Sequence, residues 1–379
     1  MIPYSRQCID DDDIAAVVSI LKSDYLTQGP AVDAFESALA AYAGARYAVV
    51  FSSGTAALHA AYSVAGIGHG DEVITSPITF VATANAALYV GARPVFVDVE
   101  PDTANINTAL IESAVTSRTK LIVPVHYAGH PADMEKIHAI ARSHKLMVIE
   151  DACHAMGARY RGEPIGKCAY SDMTIFSFHP VKHITTGEGG AVLTNNNELY
   201  KKLRQFRTHG ITREHCTSPP DGAWYYEMRF PGYNYRMTDF QAALGTSQLN
   251  KLDAFVEKRR GIAGRYHESF RGNPHFDLPP ERAYAFSSYH LYPLRLRGKC
   301  REKKQEVFTL LRQRGLGVQV HYIPVYVQPY YKELGYRKGT CPSAEDFYQS
   351  EISIPLYPSM SSSDVEYVID RLGEVFEAL

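Results

Sequence analysis

The chain has 379 residues, 45% of them hydrophobic, which is ample for a large core and for two domains. Its 39 Lys and Arg against 41 Asp and Glu leave a formal charge of −2, no electrostatic footprint for nucleic acid or an anionic membrane. No stretch approaches the ~20 apolar residues of a membrane helix, the N-terminus lacks the regions of a signal peptide, and six scattered cysteines show neither a CxxC nor a zinc spacing, so a reduced, cytoplasmic protein without a metal site is expected.

In chain order, Asp10 to Asp13 precede Ile14-Ala15-Ala16-Val17-Val18, the pattern of a helix whose N-terminal dipole favours carboxylates; a metal site is the alternative for the same acid run. Tyr47 to Phe51 reads as a strand, followed by Ser52-Ser53-Gly54-Thr55 and a helix from Ala56 to Val64. Gly66-Ile67-Gly68-His69-Gly70 fails as a dinucleotide fingerprint, because it follows a helix and leads into a strand, and is a turn. Val73 to Thr75, Pro94 to Val97, Leu121 to Val125, Leu146 to Ile149, Thr174 to Phe178 and Ala191 to Thr194 continue the strands, with helical segments between several of them. That alternation predicts a mainly parallel α/β sheet over the first two-thirds. Thr212 to Trp224, containing Ser218-Pro219-Pro220-Asp221-Gly222, is predicted as a loop, and one long helix is predicted from about Thr238 to Arg260. Beyond about residue 260 shorter strands and helices point to a smaller domain, and the expected division is 1–250 and 251–379.

Three places carry chemistry. The strand from Thr174 to Phe178 stops at His179-Pro180, since proline cannot continue a ladder, and Lys182 follows beside Thr185-Thr186-Gly187-Glu188-Gly189-Gly190. A lysine set between two buried strands by a glycine loop can form a Schiff base with a carbonyl; a solvated loop lysine is the alternative. Ser53-Gly54-Thr55 opens a helix with free N–H groups that attract an anion, although a simple N-cap has the same appearance. Asp151 ends a buried strand, where ligands of open α/β sheets bind, and could pair with a pyridinium nitrogen or serve as a helix cap or ion-pair member. His154 is either a ring contact or a satisfied core histidine. A phosphate site, a strand-end acid and a Schiff-base lysine are together what pyridoxal 5'-phosphate requires.

With these motifs the chain resembles the sugar aminotransferases of the DegT/DnrJ/EryC1/StrS family. The resemblance rests on Ser53 to Leu58, Pro77 to Thr83, Glu150 to Ala155, Phe176 to Lys182 with its glycine loop, and Gly232 to Met237, and covers nearly the whole length. It implies an α/β pyridoxal-phosphate transferase of fold type I, with a mostly parallel central sheet flanked by helices and a smaller C-terminal α+β domain. By the same resemblance Lys182 is the Schiff-base lysine and Asp151 the partner of the pyridine nitrogen. Gly54, Thr55 and Ser177 match positions that bind the cofactor phosphate, Phe80 an aromatic lying against the ring, and His154 a side chain near its phenolic oxygen. Asn234 matches a residue that reaches the phosphate from the neighbouring subunit, which implies a homodimer with shared active sites.

Tyr4, Ser23 to Pro30, Gln319 to Tyr326, Ser343 to Tyr348 and Glu351 to Pro355 resemble one subgroup, which aminates C4 of a UDP-4-keto-6-deoxy-N-acetyl sugar in pseudaminic acid biosynthesis, with L-glutamate as amino donor. That resemblance assigns Tyr4, Asp24, Tyr25, Leu26, Thr27, Gln319, Val320, His321 and Tyr322 to the sugar pocket. Without it, Gln319 to Tyr322 is only an alternating strand. The alternatives are a C4 aminotransferase for another nucleotide-linked 4-keto sugar and a non-catalytic nucleotide-sugar sensor on the same fold. A related sugar dehydratase would carry histidine in place of Lys182, and His183 is expected to be a bystander.

Overall fold

The computed structural model describes residues 1–378 except His215, Pro219 and Pro220, so the two prolines of the predicted Ser218–Gly222 loop lie outside the described residues. The first half contains β1 (Ile2–Pro3), α1 (Asp11–Leu21), α2 (Pro30–Ala43), β2 (Tyr47–Phe51), α3 (Gly54–Val64), β3 (Glu72–Thr75), α4 (Ala82–Tyr89), β4 (Arg93–Phe96), α5 (Thr108–Ala114), β5 (Thr119–Val123), α6 (Met134–His144), β6 (Met147–Asp151), β7 (Arg159–Tyr160), β8 (Glu163–Pro164), β9 (Met173–Ser177) and β10 (Gly190–Thr194). There follow α7 (Asn197–Phe206), β11 (Ile211–Thr212), β12 (Glu227–Met228), α8 (Asp239–Leu249), α9 (Leu252–Ser269), β13 (Phe276–Asp277), β14 (Ala285–Phe286), β15 (Tyr292–Leu296), α10 (Gly298–Glu302), α11 (Lys304–Gln313), β16 (Leu316–Gly317), α12 (Pro329–Glu333), α13 (Pro342–Ser350), β17 (Glu351–Ile354) and α14 (Ser362–Glu377).

The central sheet has the order β2-β10-β9-β6-β5-β3-β4, parallel from β9 to β4. β10 runs antiparallel to both of its neighbours. Helices cover both faces, so the strands are apolar on both sides, as the sequence pattern required. Successive side chains divide between two cores: Ile74, Ile122 and Val148 enter one, Val73, Leu121, Val123 and Ile149 the other. A third core draws on residues from Ile262 to Phe376 around the β13-β15-β17 sheet. β1 pairs with β16, Ile2 opposite Leu316, so the first residues of the chain pack far along the sequence. Among the described residues no helix is long and apolar enough to cross a membrane.

The acid run does cap a helix: the Asp10 and Asp13 side chains exchange hydrogen bonds with each other's backbone N–H in a capping box. The predicted long helix from Thr238 is two helices, α8 and α9, separated at Asn250-Lys251. There the Lys251 ammonium turns back to Asp10 and to Asp13, the latter at 3.0 Å. Apolar periodicity is alike on the two sides of the break and does not register it.

Beneath β2, Glu36 accepts hydrogen bonds from Val50 N (2.9 Å) and Arg207 Nη1 (2.5 Å), while Arg207 Nη1 also donates to Val50 O (2.7 Å). This buried pair ties α2 and the end of α7 to the strand that leads into Ser53-Gly54-Thr55. Arg207→Met would strand the Glu36 carboxylate, a loss of ~3–5 kcal/mol. A chemical denaturation midpoint well below wild type is expected, with part of the loss recovered in the double variant Glu36→Gln/Arg207→Met; an unshifted midpoint in the single variant would refute the role of the pair.

Candidate active site

The strand register draws four segments to one edge of the sheet. Gly190 pairs with both Phe51 and Ser177, and Asp151 pairs with Ile175, so the ends of β2, β6 and β9 and the start of β10 lie together. This is the carboxyl edge, where open α/β sheets bind ligands. Ser53 Oγ accepts from Ala56 N at 3.0 Å and starts α3 at Gly54. A Cβ on Gly54 would lie 2.9 Å from Ser177 Cβ, and one on Gly190 would lie 2.6 Å from Ser53 O. These contacts demand glycine and bring the first-turn N–H groups of α3 beside the Ser177 hydroxyl, a ready anion cradle. Thr55 is half-buried in that first turn.

Asp151 is 4% exposed. Its Oδ2 accepts from Thr83 Oγ1 at 2.6 Å and its Oδ1 from Cys153 N at 3.2 Å. Thr79 Oγ1 lies 2.7 Å behind Thr83 Oγ1. No Lys, Arg or His forms an ion pair with this carboxylate among the described residues. Lys182 rides on a loop closed by Phe178 N to Gly189 O (2.9 Å) and Lys182 N to His179 O (2.8 Å), while Ser5 Oγ donates to Val181 O at 3.0 Å. Burial pushes the Lys182 ammonium below its usual range, and the Cys153 and Asp151 side chains only partly oppose this. A lysine poised toward its neutral form is a competent nucleophile and proton carrier.

An aromatic wall adjoins them. His154 Nε2 meets Tyr322 OH at 3.1 Å, and Tyr322 lies with its ring centroid 6.3 Å from that of Phe80. His154 also stacks obliquely on His290 (4.4 Å), and His290 on His183 (5.4 Å). The Nδ1 atoms of all three are buried without a partner. Burial first, with neighbouring charges (Lys182 for His154, Arg259 for His183, His154 for His290) adding to it, depresses all three well below the usual imidazole range, so the wall is neutral. His183 is therefore no bystander in the fold, although nothing in the sequence singled it out. The same holds for His290. Thr83 had a weak signal, as the last residue of the Pro77–Thr83 motif. His321 and Tyr4 continue the wall, with ring centroids 5.2 Å apart.

The remaining expected residues lie apart within the chain. Asp24 to Thr27 are exposed; Leu26 O accepts from Asp239 N at 3.0 Å, and Thr27 bridges Thr238. Beside them opens a hollow of about 590 Å³ that includes Gln28, Arg204, Arg213 and Arg236, with none of Lys182, Asp151 or His154 in its lining. Asn234 is exposed and bridges Thr208, a residue of that hollow, while the next residue, Tyr235, accepts from Ser52 N at 2.8 Å through its carbonyl. The Asn234 side chain makes no hydrogen bond among the described residues. Gln319 is exposed and bridges Ser353; Val320 is half-buried.

The residues fit pyridoxal phosphate. A sealed carboxylate without a cation suits a protonated ring nitrogen, and Phe80, a large apolar ring left 58% exposed beside it, suits a ring face. The buried, unpartnered Nδ1 of His154 leaves a polar atom still to be satisfied.

Comparison with known proteins gives the same direction. Residues 7–373 match the DegT/DnrJ/EryC1/StrS aminotransferase family. The UDP-4-amino-4,6-dideoxy-N-acetyl-beta-L-altrosamine transaminase of Campylobacter jejuni is 42% identical over 380 residues, covering 100% of this chain and 98% of the relative. PseC of Helicobacter pylori, an aminotransferase of pseudoaminic acid biosynthesis, superposes with a TM-score of 0.94 at 36% identity over 100% of both chains. The PLP form of Spr1654 from Streptococcus pneumoniae, solved as a candidate sugar aminotransferase, gives a TM-score of 0.93 at 32% identity over 100% of this chain and 99% of that one.

The coupling of Lys182 to Asp151 has a definite sign. In cofactor-free protein the rate of Schiff-base formation with added pyridoxal phosphate should rise with pH to a midpoint below 10.5. Asp151→Asn removes a charge that holds the ammonium up, so it should move that midpoint lower; an upward move would show that the two groups are not coupled as described.

Proposed function

This chain belongs to the DegT/DnrJ/EryC1/StrS aminotransferase family, and from that premise we propose that it moves the amino group of L-glutamate to C4 of UDP-2-acetamido-2,6-dideoxy-β-L-arabino-hex-4-ulose, giving UDP-4-amino-4,6-dideoxy-N-acetyl-β-L-altrosamine. It is a pyridoxal-phosphate-dependent sugar aminotransferase. The observation that carries the reading is a lysine amine depressed by burial at the same sheet edge as a sealed carboxylate with no cation. The full-length likeness to the Campylobacter jejuni transaminase supports the choice of sugar.

Pyridoxal phosphate, when bound, supplies a protonated ring that accepts the electron pair left behind when a proton departs from the carbon bearing nitrogen. Asp151 keeps the proton on the ring nitrogen, and Thr83 and the Cys153 amide hold its carboxylate in place. Gly54, Thr55 and Ser177 would hold the phosphate at the start of α3, and Phe80 would restrict tilt of the ring. Lys182 Nζ, its ammonium disfavoured by burial, takes the proton from the donor's α carbon in the first half of the reaction and returns one to C4 of the sugar in the second. His154, kept neutral by burial, offers an uncharged imidazole to the phenolic oxygen. Tyr322 orients it through Nε2. Tyr4, Asp24 to Thr27 and Gln319 to Tyr322 are our assignment for the nucleotide sugar.

The active form on this reading is a homodimer, with Asn234 of the partner subunit reaching the cofactor phosphate. An exposed Asn234 whose side chain is unengaged within its own chain supports that role, as do Tyr25 and Leu26, large side chains left exposed on the same face as the hollow.

Incubation with L-glutamate and a panel of UDP-4-keto sugars, with the products read by NMR, tests the reading. Amination at C4 of the L-arabino sugar is expected; exclusive use of the D-xylo epimer would overturn the choice of substrate. Lys182→Ala should retain a wild-type circular dichroism spectrum and make no product, and Asp151→Asn should lose roughly 10²-fold or more in kcat. Near-normal turnover in either variant would remove the residue from its assigned role.

A further inference from the structure

Strand β17 faces the aromatic wall with two buried polar side chains two residues apart, Glu351 and Ser353, which strand geometry sets on one side. The segment before Tyr322 runs antiparallel to it: Gln319 and Ser353 exchange both backbone hydrogen bonds, at 3.1 and 2.8 Å, which brings His321 opposite Glu351. Glu351 Oε2 accepts from His321 N at 2.8 Å, Ser353 Oγ donates to Glu351 Oε1 at 2.5 Å, and Ser353 Oγ lies 2.9 Å from His321 Nδ1. The other ring nitrogen, Nε2, is bonded to nothing among the described residues and is not one of the sealed, unpartnered atoms.

The direction of every proton in this chain follows from counting. An ionised carboxylate only accepts, and a serine hydroxyl has a single proton to give. If that proton goes to Glu351, Ser353 Oγ can only accept from Nδ1, so Nδ1 carries the ring proton and Nε2 is bare. If Glu351 is instead protonated and donates to Ser353, the order reverses: Ser353 donates to Nδ1 and Nε2 carries the proton. The ring itself stays neutral, because burial, then the charge of Lys182, pushes His321 down to about 3.

We propose that Glu351 and Ser353 are positioning residues that fix the tautomer of His321, presenting a bare Nε2 to accept a hydrogen bond from an O–H or N–H of the sugar. This rests on the assignment of His321 to the sugar pocket made above. Burial pushes the Glu351 carboxyl up, against the hydrogen bonds of Ser353 and His321 N and the charge of Lys304 at the start of α11, an ammonium that burial itself pushes down. The relay therefore reverses when Glu351 takes up a proton, from acceptor to donor as pH falls. Other groups around it are accounted for. Tyr127 OH donates to His321 O at 2.5 Å. Arg295, opposite Glu351 on β15, is held by Asp277 at 3.2 Å and by Pro101 O at 2.7 Å. The rings of Tyr4 and Tyr322 flank His321.

Labelling the histidines of the cofactor-loaded enzyme with ¹⁵N reads the tautomer by NMR without substrate, His321 being assigned by the signals lost in His321→Gln. We expect the Nδ1–H tautomer at pH 8.5 and a growing Nε2–H fraction as pH falls, since burial raises the Glu351 carboxyl. Ser353→Ala should abolish both the bias and its pH dependence and raise KM for the UDP-sugar about tenfold, the worth of one hydrogen bond, with kcat and KM for glutamate within about twofold. Ser353→Thr, which keeps the hydroxyl, should restore wild-type behaviour. A wild-type Nε2–H tautomer at pH 8.5, or a tautomer unmoved by Ser353→Ala, would overturn the relay. A moved tautomer with an unmoved sugar KM would overturn its positioning role. Failure of the C4-amination reading shows separately, as no product from wild type with any sugar, and would overturn the sugar arm while the NMR still decides the relay.

Discussion

A carboxylate is sealed from water at the end of β6 with one hydroxyl and one amide to hold it and no ion pair among the described residues, and much of the molecule is arranged around that fact. A buried unpaired charge costs several kcal/mol, so Asp151 is a standing demand for a positive partner. The Thr79–Thr83 hydroxyl pair holds the carboxylate but does not neutralise it. On the function proposed above, a pyridinium ring would answer that demand, the charge on the ring and the charge on the strand end each stabilising the other.

The neighbouring groups follow the same logic. Lys182 sits close enough to feel Asp151, yet burial keeps its amine toward the neutral form. Three stacked imidazoles, His154, His290 and His183, are likewise kept uncharged. A cation on any of them would compete with the pyridinium for Asp151 and would repel a protonated Lys182. On the proposed assignment, a neutral wall would leave the strand-end acid to the ring and the proton to the lysine. Protein electrostatics here works by exclusion of charge as much as by its placement.

The close contacts at the sheet edge make this geometry rigid. Gly54 and Gly190 leave no space for a side chain where Ser53, Ser177 and the start of β10 converge. The buried Glu36–Arg207 pair fixes the strand behind them. The anion cradle, the sealed Asp151 carboxylate and the Lys182 amine are thereby carried on strand ends and short closed loops, where positional error is small.

The seven strands of the central sheet were legible in the sequence because most of their residues are buried and read as short, mainly apolar runs between turn signals. Lys182, Asp151 and Gly54 were legible because a lysine between strands, an acid at a strand end and a glycine at a helix start are chemically conspicuous. The break between α8 and α9 was not, since a tightened turn at Asn250-Lys251 leaves the apolar period intact. The pairing of β1 with β16, the His154–His290–His183 stack, the Thr83 bond to Asp151 and the Glu351–Ser353–His321 chain were not legible either. Each depends on contacts between residues tens to hundreds of positions apart, and local pattern carries no such distance. The sequence by itself determined the class of fold and the chemical types gathered at its edge; tertiary packing alone decided which of them touch and which are kept neutral, because both depend on contacts and burial that local pattern does not carry.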